Sequence, residues 1–157
     1  MRLVIKIIFT IGITAFIVIQ FFQPEKNTSE DMQNHIFNQE QLPGNVQEIL
    51  KTSCMDCHSN NTVYLWYDKI SPVSWLVNKH ILSGKKELNF SKWGELDKFK
   101  KISKLEDIRD ELEQKTMPLK QYTTLHREAK LSEEERAVLI AWIDQKGEEL
   151  LKSSVGN

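Results

Sequence analysis

The sequence predicts a mostly α-helical domain that follows a single N-terminal transmembrane helix. Three observations predict it: an apolar run at the N-terminus, apolar residues at helical spacing in several later segments, and no strand–helix alternation around the cysteine motif. A chain of 157 residues suggests one domain. We divide it into a membrane anchor, residues 1–23, a polar linker, residues 24–42, and a helical domain, residues 43–157.

The run from Leu3 to Phe22 is apolar on all faces, which is typical of a membrane span rather than of an amphipathic core helix. Twenty helical residues extend about 30 Å, the thickness of the hydrocarbon core. Arg2 and Lys6 are the charges near its first end, so the positive-inside rule predicts a cytoplasmic N-terminus. No A-x-A-like cleavage site follows the run. We therefore expect a retained single-pass anchor in the inner (cytoplasmic) membrane, with the domain on the periplasmic or exported side.

One short motif, Cys54-Met55-Asp56-Cys57-His58, contains both cysteines of the chain. C-x-x-C-H is the attachment signature of a c-type haem. The two thiols are spaced to bond the two vinyl groups of one haem, and the following histidine then lies under the iron. The motif predicts one covalent haem c, held by thioethers at Cys54 and Cys57 and by His58 as the proximal ligand.

Other chemistries also use a C-x-x-C pair. A thiol redox motif normally begins a helix in a βαβ unit, a pattern that is absent from this sequence. A structural zinc needs a fourth ligand, whereas the remaining histidines, His35, His80 and His126, are scattered singly. A plain disulfide has no need of His58. Covalent haem is the leading interpretation, and a purely structural haem or zinc site stays open beside it.

Capping and breaking residues predict where the first helices begin and end. Asn45 is expected to cap a helix from Val46 to about Ser53 that leads directly into the motif. Ser71-Pro72 is expected to begin a second helix, and Gly84 to end it.

Two capping boxes, at Ser103 and Ser132, predict two later helices that extend to about Lys115 and Lys152. Their charges are of both signs, and the net charge of the chain is −1. Since no basic patch is formed, no nucleic-acid partner is predicted.

His80 falls on the apolar face of the second helix. A single histidine there is usually a core residue, but beside a haem it can also contact a propionate or ligate the iron. The shared face comprises Val73, Leu76, Val77, His80 and Ile81. We also expect Val73, Leu76 and Val77 to shield the haem, together with Leu112 and Trp142.

Two other segments carry weaker signals. The stretch from Val63 to Tyr67 is rich in β-branched and aromatic residues, so we expect it to extend over the haem edge, with Trp66 and Tyr67 as core or haem contacts. His35 lies in the polar linker and is expected to be solvated.

The order of these features resembles that of class I c-type cytochromes: a first helix, C-x-x-C-H, middle helices, a Met-Pro loop, and L-S-x-x-E before a last helix that contains A-W-I. More narrowly, the chain resembles the small membrane-anchored haem-binding-domain proteins of bacteria. That likeness lies in CMDCHSNNTVYLWYDKISPVSWLVNKHILSGKKELNFSKW and MPLKQYTTLHREAKLSEEERAVLIAWI. The resemblance implies a cytochrome c-like helical domain around one covalent haem, in which the last helix crosses the first.

The resemblance also implies that the Met117-Pro118 loop presents the distal ligand of the iron. The other three methionines are less suitable, because they lie at the initiator, in the linker and inside the attachment motif. Met117 is therefore the expected distal ligand. His80 is the alternative, and His126 or an open position is a third possibility.

These features predict an electron carrier rather than an enzyme, and no catalytic residue is assigned. The carrier would exchange single electrons with exported or membrane-bound redox partner proteins. A haem-based sensor, or a peroxidase-like enzyme with a labile sixth ligand, is the alternative. Ligands on both faces of the iron leave no vacancy for peroxide, which argues against that alternative.

Overall fold

The computed structural model describes residues 1–155, which form helices and turns without a named β-strand. The mostly α-helical fold that the sequence predicts is therefore confirmed. Three short 3₁₀ helices connect the elements, at Tyr67–Lys69, Phe90–Glu95 and Arg127–Ala129. The α-helices of the described range are α1 (Arg2–Ile19), α2 (Ile36–Gln39), α3 (Gly44–Ser53), α4 (Met55–His58), α5 (Val73–Glu87), α6 (Lys98–Glu113), α7 (Lys120–Leu125) and α8 (Glu133–Val155).

Helix α1 extends away from the rest of the molecule. It has 18 residues, a mean hydropathy of 2.3 and no buried residue. These are the length and composition of a helix that crosses a membrane or serves as a signal sequence.

The core lies where α3, α6 and α8 meet. Helix α8 packs along α6 and also contacts α3, so the first and last helices of the domain meet as expected. Val46, Ile49 and Leu50 from α3 belong to the same buried cluster as Leu139 and Trp142 from α8.

The segment 24–42, predicted as a linker, packs on the domain instead. Ile36 is 0% exposed and belongs to the core, and Thr28 forms an isolated bridge with Asn61. The prediction that His35 is solvated is wrong, because its side chain is 5% exposed and accepts a hydrogen bond from the backbone N–H of Phe37. Phe37 and Leu42 pack against the same core beside Ile36, so apolar burial helps to hold this otherwise polar segment on the domain.

Several helix boundaries differ from the sequence prediction. Helix α3 begins at Gly44, with Pro43 rather than Asn45 at its N-cap, and α5 begins at Val73, with Pro72 rather than Ser71 at its N-cap. Helix α6 begins before the predicted box at Ser103, because Asp97 caps it by accepting a hydrogen bond from the backbone N–H of Lys100 at 2.9 Å. The box at Ser132 is confirmed, since its hydroxyl accepts from the backbone N–H of Glu135 at 3.2 Å.

Helix α5 does not end at Gly84 but continues to Glu87. Gly84 instead marks where α5 approaches α4 closely. A Cβ atom added at Gly84 would lie 2.6 Å from the carbonyl oxygen of Cys57. This glycine therefore permits contact between two helices rather than ending one.

Candidate haem site

A cavity of about 590 Å³ lies between α3, α4, α5, α6 and α8. This volume is within the range of roughly 300–1,000 Å³ that is usual for cofactor sites. Five predicted site residues line it: Cys54, Cys57, His58, His80 and Met117. Two helices, a tight turn and a distant loop thus bring together residues that are far apart in sequence.

The walls of the cavity are mainly apolar. Leu112 and Trp142 line it as predicted, but Val73, Leu76 and Val77 do not. Val73 and Leu76 lie in the first turn of α5, where 37% and 51% of their surfaces are exposed. Further apolar wall residues are Leu50, Phe90, Leu139 and Ile143.

Helix α3 delivers the chain to Cys54, where the backbone turns into the short helix α4. The backbone N–H groups of Cys57 and His58 both donate to the carbonyl oxygen of Cys54, at 3.3 and 3.0 Å. This turn directs both thiols and the imidazole towards one cavity.

The surroundings of both thiols disfavour the thiolate. Burial, followed by the neighbouring Cys57, raises the pKa of Cys54 to about 12. Burial, followed by Asp56 and Asp68, raises the pKa of Cys57 to about 11. Thiol redox motifs need the opposite, a thiolate with a lowered pKa. The site therefore does not favour a dithiol oxidoreductase.

The imidazole of His58 is oriented by the backbone of α5 and the loop that follows it. Its Nδ1 lies 3.1 Å from the carbonyl oxygen of Leu88. With the Nδ1 proton donated to that carbonyl, Nε2 is left as the metal-binding atom. Burial lowers the pKa of His58, against the opposing effect of the Leu88 and Gly84 carbonyls. The neutral ring that results is the form that binds a metal.

The loop that carries Met117 is tied to both neighbouring helices. The backbone N–H of Met117 donates to the carbonyl oxygen of Glu111 in α6 at 3.4 Å. Arg136 of α8 donates through Nη1 to the carbonyl oxygens of Leu112 and Met117, at 2.7 and 3.4 Å. Sequence reasoning missed Arg136, because the capping box near it explains the acidic residues of that turn but not this arginine.

The structure distinguishes the two histidines that are alternatives to Met117 as distal ligand. His80 is partly buried and lines the cavity. His126 does not line it; its Nε2 lies 2.8 Å from the hydroxyl of Tyr67 and its ring stacks on Tyr122 at 4.1 Å between centroids. His126 is thus engaged in a packed aromatic cluster behind the cavity wall.

The expectation that residues 63–67 cover the haem edge is wrong. Trp66 is 72% exposed, and neither Trp66 nor Tyr67 lines the cavity. Tyr122 takes that place in the wall, and its hydroxyl donates to Asp56 at 2.8 Å. Burial, followed by the Asp56 carboxylate, raises the pKa of this phenol. Asp56 is a variable position of the motif, which is why sequence reasoning gave it no role.

The haem-binding domain family matches residues 14–145, from within α1 to within α8. The chain belongs to the haem-binding domain family. The matched range of this haem-binding domain includes every residue that lines the cavity, and haem is the cofactor that the match implies. No curated protein and no solved structure matches the chain.

The residues present fit a haem better than a zinc ion. Across residues 1–155, no group of three or more His, Cys, Asp or Glu side chains could hold a metal ion. A structural zinc usually needs four such ligands. A haem supplies four ligands to its iron itself and needs from the protein a large apolar cavity with one or two further donors. Such a cavity is present here, and His58, His80 and Met117 line it as possible donors.

Proposed function

We propose that this haem-binding domain is a membrane-anchored monohaem c-type cytochrome that carries single electrons between exported or membrane-bound redox proteins. One observation carries the proposal: the C-x-x-C-H motif and Met117 line the same apolar cavity. Bound there, the haem would supply reversible one-electron chemistry at its iron.

Cys54 and Cys57 would hold the haem covalently. Each thiol adds its sulfur and its hydrogen across one vinyl group, so that a carbon–sulfur bond forms and nothing is released. The position of both thiols in the wall of one large apolar cavity supports this role.

His58 and Met117 would serve as the two axial ligands. The Nδ1 contact of His58 with Leu88 leaves Nε2 for the iron, and Met117 lies in a loop held by two helices. A thioether ligand and apolar walls both disfavour the more highly charged oxidised state, so we expect a raised reduction potential. His80 in place of Met117 would give a lower potential.

The covalent attachment is tested on the full chain expressed with haem-maturation machinery. We expect the intact mass to equal the whole chain plus one haem, and a pyridine haemochrome spectrum to show two saturated vinyl groups. Cys54→Ala and Cys57→Ala should each leave one thioether, and the double variant none. Haem that acid and organic solvent extract from the wild-type chain would contradict the c-type assignment.

The mass also reports whether the N-terminal segment is retained. A chain that begins at Met1 and sediments with membranes after carbonate washing supports the anchor that the composition of α1 suggests. A mass that lacks residues 1–23 would show cleavage and contradict anchoring.

The alternative function, a haem-based sensor or a peroxidase-like enzyme, needs a labile sixth ligand, whereas His80 and Met117 both line the cavity and either could fill that position. Carbon monoxide distinguishes the two functions. We expect no rapid spectral change when the reduced wild-type protein is mixed with carbon monoxide. Rapid binding would instead support the sensor or enzyme.

A further inference from the structure

The end of α1 is attached to the haem domain by four hydrogen bonds. The side chain of Gln20 bonds the backbone of Ser71 twice, since its Nε2 donates to the carbonyl oxygen and its Oε1 accepts from the N–H, both at 3.0 Å. Gln23 donates to the hydroxyl of Ser71 at 2.9 Å. The indole N–H of Trp75 donates to the carbonyl oxygen of Phe22 at 2.6 Å.

These bonds hold the end of α1 to the start of α5. Ser71 is 0% exposed, so Gln20 and Gln23 bind a fixed part of the fold rather than a mobile loop. Residues 23–26 continue along the domain and border a second cavity of about 240 Å³ beside Tyr64, Asp68 and Ser74. The segment between α1 and α2 is thus attached at several points.

Apolar side chains surround this point of attachment and remain exposed. We call them the juxtamembrane face, which comprises Phe21 (83% exposed), Phe22 (66%), Val73 (37%), Trp75 (41%) and Leu76 (51%). Because the face lies at the base of the protruding apolar helix α1, it is continuous with the surface that a membrane would cover.

We propose that the juxtamembrane face lies in the interfacial layer of the lipid bilayer and holds the haem domain against the membrane. The inference rests on the proposed function in one respect, the retention of α1 as an anchor. Tryptophan suits this layer because its ring is apolar while its N–H bonds a polar group. For Trp75 that group is the backbone carbonyl oxygen of Phe22. In this arrangement the domain contacts the membrane directly, and residues 24–42 do not act as a spacer between them.

This arrangement limits the distance between the haem site and the membrane. Helix α5 begins in the juxtamembrane face at Val73 and reaches the attachment motif at Gly84. At 1.5 Å per residue, that distance is about 17 Å along the helix. A membrane-bound redox partner can therefore approach the cavity without a long reach from the bilayer.

The test uses the full haem-loaded chain in nanodiscs of phosphatidylcholine and phosphatidylglycerol that contain a trace of lipid with a diazirine near the glycerol. After illumination, mass spectrometry maps the adducts. We expect adducts on α1 and on the peptide that contains residues 73–76. Phe99 is the matched control, because it is 74% exposed on α6 and should receive none.

Hydroxyl-radical oxidation gives an independent measure on the same nanodiscs. Rates are normalised to those of the urea-unfolded chain. Exposure alone predicts that Trp75, at 41%, is oxidised about half as fast as Phe99, at 74%. Lipid contact predicts a rate at least about fivefold lower than that of Phe99, because water is largely excluded from the apolar side of the interface.

The outcomes separate the two proposals. Adducts on α1 but none on residues 73–76, with Trp75 oxidised as its exposure predicts, would overturn this inference and leave the anchor intact. A chain without adducts on α1 would overturn the anchoring and this inference together. Equal labelling of Phe99 and Trp75 would show unspecific contact and overturn the inference as well.

Discussion

Gly84 shows how a single missing side chain determines the geometry of the site. It lies in the last turn of α5, although glycine is a poor helix former. Its position against the Cys57 carbonyl lets α5 approach the attachment motif, and the same helix then leads to the Leu88 carbonyl that orients His58.

We predict that Gly84→Ala lowers the yield of covalently attached haem and destabilises the protein by about 2 kcal/mol, because the new methyl group meets backbone atoms that have no room to move aside. The pyridine haemochrome spectrum per milligram and urea unfolding measure the two effects. Gly147→Ala is the matched control, since nothing lies within 4 Å of that Cβ. It should gain up to about 1 kcal/mol through helix propensity. A loss at Gly147 as large as at Gly84 would refute the steric explanation.

The identity of the distal ligand is also decided by single residues. We predict that Met117→Ala abolishes the long-wavelength absorption band of methionine-ligated ferric haem and lowers the reduction potential by about 0.2 V, a part of the roughly 0.8 V range that ligands control. His80→Ala should leave both unchanged. Optical spectra and potentiometric titration make the comparison. If only His80→Ala alters them, His80 is the ligand instead.

At the scale of elements, one buried carboxylate joins four parts of the fold. The side chain of Glu40 is 7% exposed and follows α2 directly. It binds Lys101 of α6 at 2.9 Å, Lys146 of α8 at 2.7 Å and the indole N–H of Trp93 at 2.8 Å. The segment that was predicted as a linker is thereby fixed to two long helices.

We predict that Glu40→Gln destabilises the protein by about 2 kcal/mol, because the largely buried Lys101 loses its counter-charge and Lys146 keeps only the exposed Glu149. Chemical unfolding at neutral pH measures the loss. The matched control is Glu149→Gln, which also removes a partner of Lys146 but from a side chain that is 66% exposed. An exposed pair of this kind should contribute less than about 1 kcal/mol.

The same substitution should change the pH dependence of unfolding. Burial tends to raise the pKa of Glu40, but hydrogen bonds from Lys146, Trp93 and Lys101 outweigh it and hold the pKa below the ordinary value of 4.5. Its contribution to stability is therefore present above pH 4.5 and is lost as the pH falls through the lower, folded-state pKa. The difference between wild type and Glu40→Gln should shrink in that acidic range. A difference that is constant down to pH 3 would contradict this linkage.

At the scale of the whole molecule, the cavity borders the core. Leu50, Leu112, Leu139 and Trp142 line the cavity and also belong to the buried cluster between α3, α6 and α8. A bound haem would therefore complete the core as well as supply the chemistry, which matters in a domain with limited apolar area of its own.

We predict that the chain produced without haem attachment is less stable than the loaded protein by at least about 4 kcal/mol, near the upper end of the cost of one large core truncation. Thermal unfolding followed by circular dichroism measures this, with wild type from cells that lack haem-maturation machinery beside the loaded protein. The double variant Cys54→Ala and Cys57→Ala controls for the thiols. Equal stability of loaded and haem-free chains would show that the cavity does not depend on a ligand.

Local patterns were enough to predict the features that depend on few residues. The apolar run of α1, the capping box at Ser132 and the contact of the first and last helices follow from composition, spacing or resemblance. The spacing of C-x-x-C-H predicts a haem site in the same way. Features that depend on distant partners were not predicted. Trp66 is a residue type that is usually found in cores but is exposed here, whereas His35 lies in a polar stretch but is buried.

By itself, the sequence predicted a haem cofactor, because C-x-x-C-H brings two thiols and an imidazole together within five residues, and the family match supports haem binding. It also determined the membrane-like segment and the helical class. Only the tertiary structure decided that His80 and Met117 share the cavity while His126 does not, and that residues 24–42 belong to the packed domain. The reason is physical: burial and side-chain contacts depend on which elements meet, and a polar segment such as 24–42 carries no periodic signal of the partners that hold it.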